Sequence, residues 1–158
     1  IYQDYEVTKK HILSLRHFVE SNTKRKTLTH IDAVPDNFMI QILENGKQDI
    51  RLIDWEYAGM QDPDLDIAMF SIYSLYEREQ IDNLISIYYE NKVDLVTKYK
   101  IYAYVAIAGL LWSNWCEYKR LLGVDFGEYS LKQYRYAKVY YRIVQEEFLS
   151  HQKGEKDE

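Results

Sequence analysis

The sequence predicts a mostly helical α+β domain in which a small β-hairpin precedes a helical half. Three observations carry this. Two strand-like runs, "NFMIQIL" and "DIRLID", flank "ENGKQ", and the Asn45-Gly46 pair there suits a tight turn between antiparallel strands. Beyond "WEYAGMQDPD", apolar residues recur at helical spacing almost to the C-terminus. The two prolines, Pro35 and Pro63, both fall in loops.

The elements follow in order. Tyr5 to Glu20 reads as one helix, with Ile12, Leu15 and Val19 on a shared face. "SNTKRK" is a polar turn and "TLTH" a short extended piece. The hairpin comes next and closes at Asp54. Helices are expected over Leu65–Tyr76, Glu79–Tyr89, Leu95–Leu122 and Ser130–Leu149. Residues 1–150 then form one lobe, and 151–158, "HQKGEKDE", form a disordered tail. The uncharged run Ile101 to Leu111 is far short of the roughly 20 apolar residues a bilayer span needs, so it predicts a buried core helix.

Composition excludes some functions. The 158 residues carry a net charge of −5 and are 47% hydrophobic. An acidic chain is poorly suited to nucleic acid, whose backbone is bound by clustered Lys and Arg. One cysteine, Cys116, excludes an intrachain disulfide and fits a reducing, cytoplasmic setting. The first residues, "IYQDYEVTKKH", are too polar for a secretion signal, and no membrane partner is expected. Tyrosine is abundant, at 16 residues, and could wall a ligand or simply fill a core.

The chemistry concentrates in "LTHIDAVPDNFMI" and in the hairpin exit. Asp and Asn are ordinary turn residues, and either alone would more often cap than catalyse. The ordered set His30-x-Asp32-x-x-x-x-Asn37, then a hairpin, then Asp54, is more specific. A carboxylate can accept a proton from a hydroxyl, and a carboxamide oxygen can ligate a hard cation. A second carboxylate at a strand end can share that cation. Phosphoryl transfer needs these three functions together.

On these residues the chain resembles the kinase-like phosphotransferases, which include choline/ethanolamine kinases and aminoglycoside phosphotransferases. "HIDAVPDN" is similar to their catalytic loop, and "LIDWEYAGMQDPDLDIA" is similar to their metal-binding segment. The wording is nearest to bacterial choline kinases, over roughly Thr27 to Tyr140. Ile31 and Ala33 depart from the polar or larger residues common there, without touching the chemistry. The resemblance implies the C-terminal lobe of a protein-kinase-like fold, with ATP-dependent phosphorylation of choline to phosphocholine as the activity. It implies Asp32 as the catalytic aspartate, Asn37 and Asp54 as Mg²⁺ ligands, and Glu56 as a further metal-side carboxylate. His30 would be structural. Asp66, at a helix start, would cap that helix or brace the loop.

Kinases cover the ATP phosphates with a Gly-rich loop and supply a Lys from a separate N-terminal sheet. No glycine precedes Asp32, and Lys9, Lys10, Lys24 and Lys26 lie in no sheet-like segment. The expectation is a lobe whose partner is the missing N-terminal nucleotide lobe of the same protein, with negligible turnover alone.

Trp112 and Trp115, in "LLWSNWCEYKR", are spaced to share a helix face. A quaternary ammonium has no N–H to donate, so hydrogen bonds cannot select it; aromatic faces can, by cation–π attraction. Each Trp alone would more often be core. The resemblance makes the pair a choline site, with Tyr73 and Tyr129 as candidate walls. Two alternatives remain: an aminoglycoside or other amino-alcohol kinase, whose polycationic substrates call for several carboxylates, and a non-catalytic quaternary-ammonium-binding module, which has no use for paired metal ligands.

Overall fold

The computed structural model describes residues 2–151. The expected first helix is two: α1 (Tyr5–Ser14) and α2 (Arg16–Asn22). They break at Leu15, which is fully buried. The Ser14 hydroxyl donates to the His11 carbonyl at 2.6 Å, a back-bond that competes with the helical ladder and bends it there.

A short strand, β1 (Thr27–Thr29), follows, then the hairpin β2 (Phe38–Ile42) and β3 (Gln48–Leu52). The hairpin pairs Phe38 with Leu52 through Ile42 with Gln48. Gly46 takes φ 76° in its turn, where it meets no Cβ penalty. A strand absent from the sequence expectation, β4 (Gly59–Gln61), pairs antiparallel with β1, Leu28 opposite Met60. Among the described residues there are thus two small sheets rather than one hairpin.

The helical half is α3 (Asp64–Tyr73), α4 (Arg78–Tyr88), α5 (Leu95–Leu121) and α6 (Glu128–Val144), which runs on into a wider π turn over Gln145–Leu149. α3 stops at Tyr73 rather than Tyr76. Leu75 adopts φ 54°, Leu75 N–H bonds the Ile72 carbonyl at 3.3 Å, and Tyr76 N–H bonds the Ser71 carbonyl at 3.0 Å. That is a Schellman closure with leucine in the place glycine usually takes. α5 ends the same way with glycine: Gly123 has φ 87°, and Val124 N–H bonds the Lys119 carbonyl at 3.0 Å. His151, expected in the tail, is still helical, and 152–158 lie outside the described residues.

α5 is the axis. Ile101, Tyr102, Ala103, Val105, Ala106, Ala108 and Leu110 are buried against α3 and α6, as the uncharged run predicts. Among the described residues no helix is long and apolar enough to cross a membrane. α5 and α6 cross at Gly109, where a Cβ would lie 2.7 Å from the Gln133 carbonyl oxygen, 2.7 Å from Tyr136 Cβ and 3.0 Å from Ala137 N. The hairpin contrasts with this core: Met39, Ile40, Ile42 and Ile50 are all more than half exposed.

The π turn seats Phe148 against Phe18 and Tyr99, and it brings Glu147 to Arg78 of α4 as a two-pronged ion pair at 2.5 and 2.7 Å. The Arg78 hydrogen bonds hold the Glu147 carboxyl below its ordinary 4.5. A depressed folded value means that the stabilisation is present above pH 4.5 and is lost as pH falls through the folded pKa. In urea titrations at pH 6, Glu147→Gln is expected to lower the unfolding free energy by less than about 1 kcal/mol for a half-exposed pair. The gap between variant and parent should close as the acid range is entered. A gap that persists to the lowest pH would exclude the ion pair as its source.

Candidate active site

The loop between β1 and β2 is held in a strained shape from below. Ile31 adopts φ 70°, a left-handed conformation that costs a β-branched residue on the order of 1–3 kcal/mol. Asp66, in the first turn of α3, offsets this by accepting the two preceding amides, His30 N–H at 3.0 Å and Ile31 N–H at 2.8 Å. Asp66 is therefore a loop brace, one of the two roles its position suggested. Beyond the brace the loop closes on itself. The Asp32 carbonyl accepts from Val34 N–H at 2.8 Å and from Asn37 Nδ2 at 2.8 Å, and Asn37 Nδ2 also lies 3.4 Å from Asp32 Oδ2. Asp32 and Asn37 thus converge as their spacing predicts.

Ile53 ties this loop to the hairpin exit. Its N–H bonds the Asn37 carbonyl at 3.0 Å, and its carbonyl accepts from His30 Nε2 at 2.8 Å. That bond places the proton of a neutral His30 on Nε2. His30 is 2% exposed, edge-on to Trp55, and its Nδ1 has no partner among the described residues. The next residue, Asp54, adopts φ 62°. A gripped peptide followed by a left-handed turn fixes where Asp54 leaves the strand relative to Asp32 and Asn37. His30 lies in this junction, bonded to the Ile53 carbonyl.

Asp54 and Glu56 are exposed. Tyr57 reports their neighbourhood: its phenol is pushed up first by the charge of Glu56, and also by those of Asp32 and Asp54. Among the described residues no three His, Cys, Asp or Glu side chains converge as a ready metal cage. The donor set does fit Mg²⁺, which takes one or two protein carboxylates and completes its shell with phosphate oxygens and water. Asn37 has its nitrogen committed to Asp32, which leaves Oδ1 open to a cation, and the Asp54 carboxylate is exposed.

An aromatic row runs from Asp32 into the helical half. Tyr73 is buried; its phenol is pushed up by burial first, then by the nearby charge of Asp32. Tyr73 meets Trp112 edge-on with ring centroids 4.9 Å apart, and Trp112 stacks on Trp115 at 4.9 Å and 10°. Phe126 lies 5.2 Å from Trp115 and leads to Tyr129 at 6.3 Å. Burial raises the Tyr129 phenol. The two tryptophans share a face, as the spacing predicts, but they lie ring on ring rather than as opposed walls. The sequence reading missed three members of this region. Lys119 has its ammonium 5.3 Å over Trp115, a placement legible from i, i+4 spacing. Tyr57 and Phe126 had no such local signal.

Comparisons with known proteins give the family and the fold. The choline/ethanolamine kinase family profile matches residues 3–94. The chain is 31% identical over 112 residues to Protein LicA of Haemophilus influenzae, covering 66% of this chain and 39% of that protein. A solved LicA in complex with AMP matches with TM-score 0.73 and 30% identity over 90% of this chain and 48% of that one. The choline kinase LicA from Streptococcus pneumoniae matches with TM-score 0.70 and 29% identity, over 89% and 48% of the two chains. The chain therefore spans under half the length of these relatives. Its fold is that of a choline-kinase-like phosphotransferase lobe, and the protein belongs to the choline/ethanolamine kinase family.

Proposed function

We propose that this lobe carries out ATP-dependent phosphorylation of choline, working with a nucleotide-binding lobe that supplies the contacts to ATP. The observation that carries the reading is the line from Asp32 to Tyr73 to Trp112: the charge of Asp32 acts on the Tyr73 phenol, and Tyr73 meets Trp112 edge-on. Choline offers a hydroxyl for the carboxylate and a trimethylammonium for the aromatic row. The choline hydroxyl would sit at Asp32, which takes its proton as the choline oxygen bonds the γ-phosphorus and the bridge to ADP breaks. The trimethylammonium would lie against Trp112 and Trp115, with Tyr73 and Tyr129 behind them; a cation on such faces gains about 0.5–2 kcal/mol. Asn37 and Asp54 would hold Mg²⁺, with Glu56 beside them, and the ion would screen the phosphate charge. A relative solved with AMP supports a nucleotide site.

The exposed apolar faces of the hairpin support a covering lobe, as does the Leu28–Met60 pair of the other sheet. The 158-residue chain alone is accordingly expected to show negligible turnover. In an enzyme that joins this lobe to its nucleotide lobe, choline should be phosphorylated faster than ethanolamine or kanamycin-like amines. Trp112→Leu should raise the KM for choline by about 10-fold, the scale of one lost cation–π contact, and leave the KM for ATP unchanged. Preferential turnover of the polyamine sugars would reject choline as the substrate, and an unchanged choline KM would reject the tryptophan site.

A further inference from the structure

The segment "DPDLD", Asp62 to Asp66, splits its carboxylates between two tasks. Asp66 grips the catalytic loop. Asp62 and Asp64 turn to Lys100, on the second turn of α5 and 5% exposed. Lys100 Nζ lies 2.6 Å from Asp62 Oδ2 and 3.0 Å from Asp64 Oδ2, and it donates to the Asn22 carbonyl at 3.2 Å. The two carboxylates are buried and satisfied elsewhere too. Asp62 accepts from Thr23 Oγ1 at 3.1 Å, Tyr104 OH at 3.2 Å and Asp64 N–H at 3.1 Å, and Asp64 accepts from Tyr89 OH. Burial works against the Lys100 ammonium, but its bonds to Asp62 and Asp64 outweigh that and raise its pKa.

We propose that Lys100 is a positioning residue for the catalytic loop: by pinning Asp62 and Asp64 it orients the first turn of α3, and through Asp66 it sets the backbone of His30 and Ile31 that presents Asp32. The geometry permits little slack. Pro63 joins the two pinned carboxylates, and α3 begins at Asp64, so Asp66 sits in the same helical turn as one of them. One ammonium faces two buried carboxylates, so without Lys100 two like charges would repel at the head of α3, and that turn would move. None of these groups is offered to substrate.

Amide exchange in the 158-residue chain tests this without any assay of activity. Lys100→Met should speed exchange at His30 and Ile31 by about 10-fold or more, while Ala106 and Ala137 in the α5–α6 core change by less than about 3-fold. Unchanged exchange at His30 and Ile31, or a uniform acceleration, would overturn the proposal. Asp64→Asn keeps the shape and most hydrogen bonds, and should give the same local pattern if Lys100→Met does not fold. A kinetic arm rests on the choline kinase reading. In the enzyme with its nucleotide lobe, Lys100→Met should lower kcat by about 10–100-fold with little change in the KM for choline. Its loss should be less than multiplicative with that of Asp66→Asn; fully multiplicative losses would place Lys100 outside the Asp66 route. If the parent enzyme does not turn over choline, the functional reading fails while exchange still decides the role of Lys100.

Discussion

Asp32→Asn is expected to lower turnover by about 10²–10⁴-fold, the range general-base catalysis supplies, with choline affinity within about 3-fold of the parent. The substitution is nearly isosteric, and what it leaves intact is specific. The loop closes through the Asp32 backbone carbonyl, which still accepts from Val34 N–H and Asn37 Nδ2. The Asp66 brace acts on His30 and Ile31, not on Asp32. Only the capacity to take the hydroxyl proton is removed. Steady-state kinetics with choline, beside calorimetric titration of choline, separate the two effects. Turnover near that of the parent would reject Asp32 as the base on the proposed reading, and a parallel loss of binding would mean that the carboxylate serves as a counter-ion.

Gly109→Ala is expected to destabilise the lobe by about 1–3 kcal/mol. Two effects of opposite sign compete. Alanine is the better helix former by about 1 kcal/mol, so at an open site the change would stabilise. Here the new methyl meets the Gln133 carbonyl oxygen at 2.7 Å and Ala137 N at 3.0 Å, and both are backbone. No rotamer change can move them, so α5 and α6 must separate along the main interface of the fold. Overpacking outweighs propensity, and Gly109→Val should be worse. Thermal unfolding checks the sign: each kcal/mol corresponds to about 2–4 °C in a domain of this size. An unchanged or raised Tm would show that the helices yield without cost.

The features legible in the sequence are those decided within a few residues. The hairpin follows from Asn45-Gly46 between apolar runs, and α5 from its uncharged centre. Asp32 and Asn37 meet because five residues of closed loop bring them together, and Asp66 braces because it opens a helix. What escaped depends on distant partners. β4 is three residues long and exists only because β1 lies opposite it. The break at Leu15 rests on a side-chain bond of Ser14 that a periodicity reading does not weigh. The pairing of Lys100 with Asp62 and Asp64 joins segments far apart in the chain. The stacking of Trp112 on Trp115 follows from ring rotation rather than from spacing.

The bare hairpin has one more consequence. A lone two-stranded ribbon is marginal in water, and Asp54 hangs from its exit strand through the Ile53 junction. The Ile53 junction alone then holds Asp54 in place: whenever the ribbon frays, a ligand that needs Asp54 and Asn37 together meets only the fraction of molecules in which that junction is closed. Apparent affinity falls in proportion to that fraction. On the proposed reading, a lobe closing over Met39, Ile40 and Ile50 raises the fraction before it makes a single contact with the nucleotide. Docking and ligand affinity are then thermodynamically linked, and each strengthens the other by the same factor.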